Sequence, residues 1–120
     1  MPFVRSKVSL KMSAEQETLL KEGLGKAIEC VPGKSERYLM IEFEDACHLY
    51  FQGKKDHPIA YIEAALFGNE MHIGYDDFVS EVTNLYHDTL GIPKETIFIR
   101  FEDIPDWAEG GMNFDRNRYQ

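Results

Sequence analysis

Four short segments of the chain alternate apolar and polar side chains, two in each half. They are PFVRSKV (2–8), LMIEFED (39–45), PIAYIEA (58–64) and IFIRFED (97–103). Such alternation is typical of a β-strand whose two faces meet different environments. Proline fits at the start of the first and third segments, because the first residue of a strand can do without a ladder hydrogen bond. We therefore predict four strands.

Between the two strands of each half lies a segment whose apolar residues recur at helical spacing. In the first half, Ser13 and Gln16 form a capping-box pattern that predicts a helix start. In the second, Asp76 or Asp77 is the predicted N-cap and Gly91 the stop signal. The apolar stripes are Leu20, Leu24, Ala27 and Val31 in the first helix, and Phe78, Val82, Leu85 and Thr89 in the second.

The second and fourth segments are near copies of each other, which indicates an internal repeat. Each half then reads strand–helix–strand, with repeat halves at about 2–45 and 58–103. We predict an α/β (α+β) fold over a single domain, 1–120. Its two βαβ repeats form a four-stranded mixed sheet with two helices on one face.

The duplicated strands have one apolar face and one mixed face. The apolar face carries Leu39, Ile41, Phe43, Ile97, Ile99 and Phe101. It is predicted to pack under the helices. The mixed face carries Tyr38, Met40, Glu42, Phe98, Arg100 and Glu102. Two helices cover only one side of such a sheet, so this aromatic and charged face favours a closed homo-oligomer.

Two further segments carry weaker signals. Residues 49–51 form a β-prone run that we interpret as an extra edge strand, with the potential to pair with a neighbouring chain. In the polar, glycine-containing tail, Trp107, Met112 and Phe114 are isolated apolar anchors. They either pack the end of the chain down or line a pocket.

Composition and charge narrow the class of protein. The formal net charge of −8 argues against a nucleic-acid partner. No apolar run has the length of a membrane helix, and the first residues lack a secretory signal. Cys30 and Cys47 are interpreted as buried free thiols, which favours a reducing, cytoplasmic location. The four histidines have no metal-site spacing, so no metal is expected.

The order and spacing of several motifs resemble the tautomerase superfamily, in its branch of macrophage migration inhibitory factor (MIF) and phenylpyruvate tautomerase. The motifs are Pro2-Phe3, GKSERYLMIEF (33–43), GIPKETIFIRFED (91–103) and a late Phe114. The resemblance implies a homotrimer with active sites between subunits. It also implies keto–enol tautomerisation of 2-keto acids such as phenylpyruvate, with no cofactor.

In that family the base is an N-terminal proline, so the resemblance gives this role to Pro2. An ordinary α-amino group has a pKa of about 7.7–8.0, and desolvation lowers it further. A neutral amine can then remove a proton from the carbon beside a carbonyl. While Met1 remains attached, however, the nitrogen of Pro2 is an amide and cannot do so.

The resemblance also implies four substrate-binding positions. Lys34 matches the lysine that meets the substrate carboxylate, although a solvated turn lysine is the alternative. Phe67 falls where the family uses a backbone N–H. Phe98 stands in place of an active-site tyrosine, and Arg100 in place of an asparagine. Arg100 either binds a carboxylate in a bidentate fork or pairs with a glutamate across the sheet or subunit interface.

These departures keep two other functions open. One is another proline-dependent reaction of the superfamily, namely hydration, dehalogenation or decarboxylation of a small unsaturated acid. The other is a cytokine-like signalling or binding protein with a vestigial site. The family's Cys-x-x-Cys is replaced by Ile59 and Ile62, which removes a thiol-redox function.

Overall fold

The structure is a computed structural model that describes residues 1–119, so Gln120 of the predicted domain lies outside the described residues. The strands are β1 Pro2–Val8, β2 Met40–Glu44, β3 Ala60–Phe67, β4 Ile97–Ile104, β5 Asp106–Glu109 and β6 Met112–Asp115. The α-helices are α1 Ala14–Ala27, α2 Tyr75–Leu90 and α3 Arg116–Tyr119. Short 3₁₀ turns occupy Ile28–Cys30, Glu36–Tyr38 and Lys94–Thr96.

The first four strands form one mixed sheet in the order β2-β1-β3-β4. Within each half the two strands are parallel, β1 with β2 and β3 with β4. The halves join through the antiparallel pair β1–β3, where Pro2 lies opposite Leu66. The predicted four-stranded mixed sheet of two βαβ repeats is confirmed.

Both long helices pack on the same face of this sheet, as predicted. Alternate residues of β1 and β3 are buried beneath them, and Val4, Ile62 and Leu66 are fully inaccessible. The six apolar residues predicted on the duplicated strands pack against this core. Burial of one large aliphatic side chain contributes roughly 1.5–3 kcal/mol, so the core fixes which face of each strand points inward.

The two helix starts differ in how well the sequence predicted them. Ser13 accepts a hydrogen bond from the backbone N–H of Gln16, whose side chain accepts from the N–H of Ser13, so the capping box is confirmed. The predicted aspartate cap of α2 is wrong. The N-cap is Gly74, with φ of +85°, and both aspartates lie inside the first turn. There they still favour the helix through its dipole.

An alternating row of charges crosses the uncovered face of the sheet. Glu42 of β2, Arg5 of β1, Glu63 of β3 and Arg100 of β4 occupy neighbouring register positions. Arg5 Nε lies 3.0 Å from Glu42 and its Nη1 3.9 Å from Glu63, while Arg100 Nη1 lies 2.9 Å from Glu63 and 3.0 Å from Glu102. Half-exposed pairs of this kind contribute about 0–1 kcal/mol each.

Two sequence expectations need correction. Residues 49–51 form no strand; Phe51 and Lys54 instead pair with each other across a tight turn. The thiols of Cys30 and Cys47 are free but only partly buried. In the tail, which had no predicted secondary structure, β5 and β6 form an antiparallel hairpin in which Trp107 pairs with Phe114.

Candidate active site

A pocket of about 400 Å³ lies at the N-terminal end of β1. Its lining comes from five separate parts of the chain: Met1, Gly33 with Lys34, Tyr38, Phe67, and the hairpin residues Glu109 and Phe114. Lys34 and Phe67, two of the predicted site residues, therefore meet in one place. Pro2 follows Met1 directly and is buried at the start of β1.

Lys34 is placed by a tight turn that the sequence encodes locally. The N–H of Lys34 donates to the carbonyl of Val31 over 3.1 Å, with Pro32 and Gly33 between them. Gly33 has φ of +77°, and a proline followed by a glycine at positive φ is the pattern of a type II turn. The turn directs the Lys34 ammonium to the backbone carbonyl of Phe67, to which it donates.

The same surroundings lower the pKa of both amines in the pocket. Desolvation lowers the pKa of Lys34 from its ordinary value. At the Met1 α-amino group, burial and then the charge of Lys34 lower the pKa from 8.0 to about 6, against the opposing effect of Glu109. A cation nearby and partial loss of water both disfavour the charged form. The chain terminus is thus held in an environment that favours a neutral amine.

Tyr38 and Glu109 had not been predicted as site residues, whereas a pocket position was one of two alternatives for Phe114. Tyr38 had been assigned to the mixed sheet face, but it lies in the 3₁₀ turn before β2 and reaches the pocket. Glu109 and Phe114 could not be located relative to the pocket until the β5–β6 hairpin was known. A usable signal was present, because two short runs separated by Gly110-Gly111 indicate a two-residue hairpin loop.

Phe98 and Arg100 do not line this pocket within one chain. Phe98 packs against Phe51, with ring centroids 4.9 Å apart. Arg100 belongs to the charged row, where its guanidinium is half-exposed and paired with Glu63 and Glu102. Of the two hypotheses for Arg100, a glutamate pair across the sheet is the one present inside a single chain.

Among residues 1–119, no group of three or more His, Cys, Asp or Glu side chains could hold a metal ion. Within the same residues, no helix is both long and apolar enough to cross a membrane.

Similarity to known proteins is found by comparison with solved structures and not by comparison of sequences. No protein-family profile and no curated protein matches the chain. MIF2 of Leishmania major superposes with a TM-score of 0.85 at 24% identity, covering 95% of this chain and 97% of that one. A MIF homologue from Prochlorococcus marinus gives 0.80 at 28% identity, covering 93% and 98%. A fused 4-OT, described as a wild-type asymmetric trimer, gives 0.81 at 16% identity, covering 98% of both.

The sheet order, the two helices on one face and these superpositions define a tautomerase-superfamily fold. Within that superfamily the chain is similar to the MIF-like branch, as the motifs around Pro2, Lys34 and Phe98 had indicated.

Proposed function

We propose that this protein is a keto–enol tautomerase of 2-keto acids such as phenylpyruvate, and that the nitrogen of Pro2 is its general base. The feature that supports this most directly is the pocket at the start of β1, where Met1 lies beside Lys34 and where burial and the charge of Lys34 lower the pKa of the Met1 α-amino group. A base must be unprotonated at working pH, and this environment favours that state.

The proposed base forms when Met1 is removed. Proline in second position is small enough for aminopeptidase to cleave the methionine before it. The new terminus is a secondary amine fixed by its ring at the start of β1. Because Met1 lines the pocket, its loss also opens space above the Pro2 nitrogen. Desolvation and the charge of Lys34 then lower the pKa of this amine by the same physics that acts on Met1.

Lys34 is the proposed docking group for the substrate carboxylate. Its ammonium is half-buried and, among residues 1–119, has one protein acceptor, the carbonyl of Phe67. Two of its three donors therefore remain for an anion. A carboxylate held there places the carbon beside the substrate carbonyl near the Pro2 nitrogen. The amine removes a proton from that carbon, and the same proton returns at the carbonyl oxygen to give the enol. Nothing is consumed.

The proposed assembly is a homotrimer. The uncovered sheet face carries Met40 with 58% of its surface exposed beside the charged row, and the similar fused 4-OT is described as a trimer. Phe98 and Arg100 would enter the site from a neighbouring subunit, with Phe98 supplying an apolar wall. The free thiols of Cys30 and Cys47 support a reducing, cytoplasmic location.

The test compares two forms of one protein, both verified by intact mass. One begins at Pro2 and the other retains Met1. The processed form should interconvert phenylpyruvate and its enol, followed by absorbance, and the Met1 form should be nearly inactive while keeping the same circular dichroism and assembly mass. Pro2→Gly, which preserves a terminal amine after processing, should retain some activity.

Two results would count against the proposal. Equal rates for the two forms mean that Pro2 is not the base. No turnover of phenylpyruvate by the processed form favours the other two functions, a different proline-dependent reaction or a binding protein.

A further inference from the structure

The tail hairpin brings one acidic side chain, Glu109, into the candidate pocket. Glu109 ends β5, and the loop to β6 is Gly110-Gly111, with φ of +61° and +81°. Positive φ at both loop positions is the pattern of a type I′ turn, whose twist matches a β-hairpin. Glu109 therefore pairs with Met112 in a defined register and is not on a free tail.

The base of the hairpin is clamped to the body of the protein. Arg116 follows β6 and is only slightly exposed. The guanidinium of Arg116 lies 2.5 Å from Asp103 at the end of β4 and 3.2 Å from Glu70. The backbone N–H of Arg116 donates to the carbonyl of Pro105 over 2.9 Å. Charge-assisted contacts of this type are the stronger ones in proteins. The clamp fixes where Glu109 lies relative to the pocket.

Glu109 gives the pocket an arrangement of opposite charges. Lys34 and the terminal amine supply positive charge, and Glu109 is the one acid among the residues that line the cavity. Within residues 1–119, Glu109 forms no close ion pair, so its charge is not neutralised by direct contact. It lines the same pocket as Met1 and opposes the lowering of the pKa of the Met1 α-amino group, as a nearby carboxylate does.

We propose that Glu109 is a specificity-determining residue: it restricts the pocket to acids with a single anionic group, by repelling a second carboxylate at the far end of the substrate. The inference rests on the proposed function only in assigning the first carboxylate to Lys34. At a separation of about 6 Å, two unit charges repel enough to change affinity roughly 3- to 100-fold, depending on the effective dielectric.

The experiment compares matched ligands on wild-type protein and on Glu109→Gln. The substrates are phenylpyruvate and its para-carboxylate, and the non-reactive ligands are 3-phenylpropanoate and 3-(4-carboxyphenyl)propanoate. Glu109→Gln should raise kcat/KM and affinity about tenfold for the dicarboxylates, and change the monocarboxylates less than threefold. Glu22→Gln, which removes one charge from the exposed side of α1, is the matched control. It should leave the dicarboxylate-to-monocarboxylate ratio unchanged, both for kcat/KM and for affinity.

Two further readouts separate charge repulsion from a purely structural effect. High salt should reduce the preference of the wild-type protein for monocarboxylates over dicarboxylates, because screening weakens interactions between exposed charges. It should barely change the preference of Glu109→Gln. Loss of the Glu109 charge should also move the acidic limb of the pH–rate profile to lower pH, if the carboxylate raises the pKa of the Pro2 amine as it does that of the Met1 α-amino group.

The calorimetric affinities keep this inference distinct from the proposed activity. If the acids bind without turnover, the tautomerase proposal fails and the ratio of dissociation constants still tests Glu109. The inference would be overturned if Glu109→Gln left the ratio of the two dissociation constants unchanged. It would also be overturned if neither acid bound to either protein.

Discussion

Removal of one buried hydroxyl, in Tyr86→Phe, tests how α2 holds the strand that carries the proposed base. The hydroxyl of Tyr86 donates to Ser6 Oγ over 2.6 Å, and both side chains are fully inaccessible to solvent. Burial raises the pKa of Tyr86, so the phenol remains a neutral donor at all working pH values. Ser6 lies on β1, four residues after Pro2.

The geometry sets the size of the expected effect. Tyr86→Phe preserves ring packing but leaves the Ser6 hydroxyl buried without this partner. An unsatisfied buried polar group costs about 1–3 kcal/mol, whereas replacing both partners with apolar groups is close to neutral. Tyr86→Phe and Ser6→Ala should each destabilise by about that amount. The double variant should be no less stable than either single one, which corresponds to a coupling energy of at least about 1–3 kcal/mol.

Urea unfolding followed by circular dichroism measures these differences, with all proteins at one concentration because assembly shifts apparent stability. Tyr50→Phe is the control, since Tyr50 is 64% exposed and its loss of a hydroxyl should stay within about 0.5 kcal/mol. Additive losses from the two single variants would refute the reasoning, because they would mean that the two hydroxyls do not depend on each other.

Two more substitutions test the loop before α2 and the role of Arg100. In Gly74→Ala, the new Cβ would lie 2.0 Å from the carbonyl oxygen of Cys30. Gly53→Ala is the control, because Gly53 also has a positive φ but a Cβ there meets nothing within 4 Å, and Gly74→Ala should lower the free energy of unfolding in urea by at least about 1–3 kcal/mol more than the control does. Equal losses of stability would mean that the contact with Cys30 costs nothing. Arg100→Ala should lower kcat/KM for a keto acid on the order of tenfold to a hundredfold more than for its neutral ester if the arginine binds substrate in the trimer. Equal loss for acid and ester would leave Arg100 with only its pairs to Glu63 and Glu102.

Much of the fold could be predicted because its causes are local in the sequence. The alternation in 2–8 and 97–103 decides which side of each strand can be buried, and Ser13 with Gln16 marks where α1 begins. The turn that places Lys34 is equally local, since Pro32 and Gly33 favour its backbone angles whatever surrounds them. The resemblance to the tautomerase superfamily rested on the same segments.

The start of α2 shows where local signals give the wrong answer. Asp76 and Asp77 are better N-caps than glycine by intrinsic preference. Gly74 takes the position because its backbone passes so close to the Cys30 carbonyl that a side chain does not fit. That contact joins two distant parts of the chain, so no window of sequence around the helix contains it.

The site depends on tertiary structure in the same way. Lys34, Phe67 and Glu109 share a pocket only because β1, β3 and the tail hairpin meet at one end of the sheet. Arg100 is opposite Glu63 because of strand register, which the sequence of either strand alone does not specify. Local patterns encode the conformation and the buried face of each segment, whereas charge pairing and desolvation arise between segments and are decided only when the sheet is assembled.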